Sequence, residues 1–142
     1  MRTCAIVVCI VTLVVSIRCT NEGQKKRVEK IHIECQADPK TQVDEELLKR
    51  YYKGEQFDKS LLGAHMFCMV TKFGVLDEDG KIIKSTLKTT FSRFISDETK
   101  LNEAMEKCAV EKNDHKDTAL DLVKCFREES GLSGPKHIHD RF

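Results

Sequence analysis

Along most of the chain, apolar side chains recur at three- and four-residue steps, and no sustained two-residue alternation appears. That period predicts helices and no strands. The first helix is expected from about Lys25 to Gln36, with Val28, Ile31 and Cys35 on one face. Asp38-Pro39 ends it, since the residue before proline avoids helical angles. A second helix, about Val43 to Lys53, carries Leu47, Leu48 and Tyr51 on one side, with Gly54 where a left-handed cap is wanted. The third is the clearest: Asp58 as N-cap, Phe57 and Leu62 at staple spacing, then Leu62, Met66, Met69 and Phe73 in register. Gly74 stops it, Val75 folds back, and Asp77-Glu78-Asp79-Gly80 forms a turn. The fourth (about Thr86 to Ser96) presents Leu87, Phe91, Phe94 and Ile95. The fifth (about Glu98 to Lys112) presents Leu101, Met105 and Cys108. The sixth (about Asp117 to Ser130) presents Leu120, Val123 and Phe126, with Gly131 as its stop and a tail from about Leu132. The expected fold is all-α, a compact bundle of about six short helices in one domain.

The N-terminus breaks this pattern. Arg2 is followed by an almost wholly apolar run from Ala5 to Ile17, and Arg18, Cys19 and Thr20 end it. A bilayer span needs about 20 apolar residues. A charged start, a short apolar middle and a polar break are the pattern of a cleaved export signal. Residues 1–19 are therefore assigned to a signal peptide and 20–142 to the domain, with Ser16 or Thr20 as other cleavage points. The mature protein is expected to be secreted and extracellular, with no membrane insertion after cleavage.

Cleavage changes two inventories. It removes Arg2 and Arg18, leaving 22 basic residues against 23 acidic ones. The charges are interspersed, and no basic patch suggests a nucleic acid partner. Of the seven cysteines, Cys4, Cys9 and Cys19 leave with the signal, while Cys35, Cys68, Cys108 and Cys125 remain. Four cysteines in an oxidising compartment read as two disulfides, with three pairings open.

Sites for chemistry are scarce. Asp77, Asp79 and Gly80 suggest a calcium loop, but its fifth, sixth and twelfth places would be Lys81, Ile82 and Lys88. His137 and His139 are two apart in the tail, with no partner at ligand spacing. His32 and Cys35 have zinc-pair spacing, but a disulfide claims the cysteine. His65, beside Met66, reads as a packed or pocket-edge histidine. No nucleophile has a recognisable local motif, so no enzyme activity, cofactor or metal is expected. Seven phenylalanines and several methionines, with no tryptophan, suit an ordinary core and an adaptable apolar cavity alike.

The cysteine spacing, x32, x39 and x16, and the segment His65-Met-Phe-Cys-Met-Val-Thr-Lys-Phe-Gly-Val-Leu-Asp-Glu-Asp-Gly-Lys-Ile82 shift that balance. Together they resemble the insect pheromone- and general-odorant-binding protein family over nearly the whole mature chain. The family usually has six cysteines; its second and fifth, which pair with each other, fall here on Ala64 and Lys116. The resemblance is therefore to a four-cysteine member, and it implies Cys35–Cys68 and Cys108–Cys125. It further implies helices around an apolar pocket and a carrier of a small hydrophobic ligand such as an odorant or pheromone. Expected wall residues are Leu62, His65, Met66, Met69, Phe73, Leu76, Phe91, Phe94, Ile95, Met105, Leu120 and Val123. A membrane receptor downstream and a monomer or weak homodimer are compatible with that role. The alternatives are a non-olfactory carrier in haemolymph or a glandular secretion, and a secreted helical signalling protein.

Overall fold

A computed structural model describes residues 22–55 and 59–132. The signal peptide, the Phe57/Asp58 staple and cap, and the tail histidines lie outside the described residues. The described chain is all-α, with six helices: α1 over residues 22–36, α2 Glu45–Lys53, α3 Lys59–Lys72, α4 Lys84–Phe91, α5 Glu98–Cys108 and α6 His115–Glu129. None of them is long and apolar enough to cross a membrane.

Local chemistry sets the helix bounds, which differ from the expected ones at several ends. Asp44 caps α2 by accepting from the Glu46 and Leu47 amides, so this helix starts two residues later than expected. Gly54, at φ 76°, closes it. Helix α4 ends at Phe91 rather than Ser96, because residues 92–94 tighten into a turn in which the Phe94 and Ile95 amides both donate to the Phe91 carbonyl. Helix α5 ends at Cys108, four residues early. Helix α6 starts at His115, two residues early, because Asp114 rather than a later residue accepts the Lys116 amide at 2.7 Å.

The acidic turn forms as expected. Asp77 Oδ1 accepts the Asp79 and Lys81 amides, and Leu76 and Ile82 make a single antiparallel bridge. Gly80, at φ 81°, packs so closely on α6 that a Cβ there would lie 2.4 Å from the Cβ of His115.

Two disulfides fasten the bundle. Cys35–Cys68 joins α1 to α3 and Cys108–Cys125 joins α5 to α6, the pairing implied by the resemblance. Helix α3 packs most extensively against α6, with further contacts between α5 and α6 and between α4 and α5. The core between them holds Leu62, Leu76, Leu87, Phe91, Ala104, Ala119 and Leu122, all nearly or wholly buried.

Candidate functional site

A small internal cavity of about 30 Å3 lies where α1, α2 and α3 meet. Val28 and His32 come from α1, Leu48 and Tyr52 from α2, and His65, Met66 and Met69 from α3. On α3 the wall residues follow the helical repeat: His65 and Met69 are one turn apart on one face, and Met66 adjoins them.

Of the expected wall residues, His65, Met66 and Met69 meet at this cavity. Leu62, Leu76 and Phe91 are wholly buried in the core, and Leu120 belongs to the same cluster. Phe73, Ile95, Met105 and Val123 are half-buried at the core's edge. Phe94 is 46% exposed and stands edge-on to Phe126, with ring centroids 5.5 Å apart. Val28, Leu48 and Tyr52 were not among the expected wall residues. Val28 and Leu48 do lie on the apolar helix faces read from the sequence, which is the signal that could have found them.

The cavity has a polar seam on one side. His65 is 1% exposed, and its Nδ1 lies 2.8 Å from the Thr41 carbonyl oxygen. A carbonyl only accepts, so that nitrogen donates. The other nitrogen, Nε2, faces His32 Nδ1 at 3.1 Å, the two rings being set edge to face. On its far side His32 Nε2 reaches Glu45 Oε1 at 2.9 Å. Gln36 donates to the same carboxylate at 2.6 Å and also to the Val43 carbonyl, while its side-chain oxygen accepts the Val43 amide. This chain of groups ties α1, the 37–44 loop, α2 and α3 together around the disulfide.

Burial pushes His65 below the ordinary histidine range; the Thr41 carbonyl opposes this and nearby His32 reinforces it. Burial pushes the Glu45 carboxyl up, but hydrogen bonds from Gln36 and His32 outweigh it, leaving the group below the usual carboxylate range. The partnership between His32, His65 and Glu45 was not read from the sequence, where these residues are 33 and 13 apart.

Among the described residues, no three histidine, cysteine or acidic side chains converge as a metal cage.

The chain is similar to the B1 protein of Tenebrio molitor, 26% identical over 82% of this chain and 88% of that protein. It is also similar to the B2 protein of Tenebrio molitor, 25% identical over 82% of this chain and 90% of that one. No solved structure matches the chain. The profile of the PBP/GOBP family matches residues 18–129, and the chain therefore belongs to the PBP/GOBP family.

Proposed function

We propose that this protein is an exported carrier that takes up a small hydrophobic molecule, with an odorant, pheromone or similar semiochemical as its cargo. The observation that carries this reading is an apolar cavity between three helices in a chain of this binding family. Cleavage after Cys19 would release the domain, and Ala64 and Lys116 in place of a cysteine pair make it a four-cysteine member.

At about 30 Å3 the cavity holds roughly one water-sized group, whereas ligand pockets run to about 300–1,000 Å3. Uptake must therefore open it. Methionines Met66 and Met69 are suited to this, since an unbranched thioether changes rotamer at little cost. Leu62, Phe73, Leu76, Phe91, Phe94, Ile95, Met105, Leu120 and Val123 are the apolar reserve the opened pocket would draw on. Burying ligand surface at about 25 cal/mol per Å2 supplies micromolar affinity without a charged contact.

The test is uptake of a fluorescent apolar probe, followed by its displacement with a panel of volatile and lipid-like ligands. Saturable uptake reversed by some of the panel supports carriage. A chain that leaves probe fluorescence unchanged would refute it and favour the signalling reading.

A further inference from the structure

The chain from His65 through His32 to Glu45 needs one proton more than two neutral rings hold. His65 Nδ1 donates to the Thr41 carbonyl and His32 Nε2 donates to the Glu45 carboxylate, since both oxygens only accept. Between the rings, His32 Nδ1 and His65 Nε2 share a third hydrogen bond at 3.1 Å. Three such bonds use three ring protons, and two neutral imidazoles supply one each. The bonded pair therefore carries one positive charge, and Glu45 supplies the facing negative one.

The donors and the acceptor of this ion pair sit on different supports. His32 and Gln36 are one turn apart on α1, and both donate to the same carboxylate oxygen, Glu45 Oε1, at 2.9 and 2.6 Å. Helix α1 is bonded to α3 through Cys35–Cys68. Glu45 is instead the first residue of α2, which contains no cysteine. His32 also borders the cavity, whose α2 wall is Leu48 and Tyr52. Moving α2 outward to admit a ligand withdraws the carboxylate and leaves the two α1 donors at the cavity's rim. A ligand without an acceptor must bear that loss. A ligand that brings its own carboxylate restores both bonds, and Glu45, already half-exposed, passes to water.

We propose that His32 Nε2 and the Gln36 side-chain amide form a head-group site for a carboxylate with a hydrocarbon tail, such as a fatty acid. Glu45 fills that site while the cavity is closed and is exchanged for the ligand's own carboxylate on uptake. The inference rests on the carrier reading above and adds to it the charge of the cargo. The tail enters the apolar cavity and supplies affinity, while the head stays at the half-hydrated rim and supplies selection.

The experiment loads the full chain, with both disulfides formed, with N-phenyl-1-naphthylamine at pH 7. The probe is then displaced with dodecanoate and with 1-dodecanol, which share a tail length. Dodecanoate should bind about tenfold tighter, because hydrogen bonds to a charged acceptor are roughly twice as strong as those to a neutral one. In NMR spectra, dodecanoate but not dodecanol should shift the Gln36 side-chain amide protons. Glu45→Gln removes the resident charge at constant shape and should tighten dodecanoate more than dodecanol. His32→Leu should erase the preference for dodecanoate. Probe uptake with equal displacement by the two ligands leaves carriage standing and overturns the head-group site. A preference that survives His32→Leu, or one that leaves the Gln36 amide unmoved, overturns it too, because the head is then held elsewhere. Absence of probe uptake refutes carriage itself, and this inference with it.

Discussion

Where α3 crosses α6, the approach is set by the absence of a side chain. Gly63 is buried in this seam, and a Cβ built on it would lie 2.9 Å from the Cβ of Lys116 and 3.5 Å from a Leu120 methyl. Gly63→Ala sets two effects against each other. Alanine is worth about 1 kcal/mol over glycine in a helix interior. The added methyl, however, meets an atom fixed directly to the α6 backbone, which cannot swing aside as a lysine terminus could. Ordinary carbon contact needs about 3.5–4.0 Å. The two helices must therefore part along their most extensive contact, and overpacking of that kind costs about 1–3 kcal/mol. The balance is a net destabilisation of up to about 2 kcal/mol.

The check is urea unfolding of Gly63→Ala, Lys116→Gly and the double variant as a thermodynamic cycle. Removing the Lys116 side chain takes away the atom the new methyl strikes, so the double variant should be more stable than the sum of the singles by about 1–2 kcal/mol. A Gly63→Ala protein that gains about 1 kcal/mol, with no coupling to position 116, would show that propensity rules and that the seam has slack.

Three further outcomes are expected. Burial holds the Tyr51 phenol well above its ordinary range, with Tyr52 adding to this and Arg127 opposing it. Its contribution to stability is therefore complete below the unfolded pKa of about 10 and is lost as pH rises past it, amounting to about 1.4 kcal/mol by pH 11. Tyr51→Phe should lack this alkaline loss in unfolding curves, and parallel pH profiles for the two proteins would contradict it. Asp44→Ala should lower stability by about 1 kcal/mol in urea unfolding, and Asp44→Asn should restore most of it, since the cap bonds two amides of α2. Replacing Cys35 and Cys68 by alanine should cost about 3.7 kcal/mol, and replacing Cys108 and Cys125 about 3.1, following loop separations of 33 and 17 residues; the order would be seen in thermal unfolding.

What could be read in the sequence was local or shared with relatives. The helices, the Asp77–Gly80 turn and the Gly54 stop follow from periodicity and from backbone angles that few residues adopt. The disulfide pairing came from the resemblance, since spacing alone left three choices. Helix ends were read less well. The sequence reading began α6 at Asp117, whereas Asp114, which accepts the Lys116 amide, caps a helix that starts two residues earlier. Core and cavity could not be separated either. Leu62 and Met66 lie on the same side of α3, yet the first is wholly buried in the core and the second borders the void. Which of them faces a gap depends on how far α1 and α2 stand off, a long-range property that no helical repeat records. The histidine pair illustrates the same limit, since its members are brought together by the fold rather than by their spacing.

The two disulfides also bear on which wall of the cavity yields. Helices α1 and α3 are bonded through Cys35–Cys68 close to His32 and His65, so that side is fixed. Helix α2 contains no cysteine. It is held by burial of Leu48 and Tyr51, by the Glu45 bonds to His32 and Gln36, and by Arg127 of α6, which donates to the Tyr52 carbonyl and lies over both tyrosine rings. A half-exposed carboxylate such as Glu45 contributes at most about 1 kcal/mol through its ion pair. Bonds of this strength re-form within a ligand-binding equilibrium, whereas a disulfide does not. Any enlargement of the cavity is therefore expected to displace α2, carrying Leu48 and Tyr52 outward. Locking α2 to α1 with an added cross-link would abolish probe uptake while leaving the fold intact.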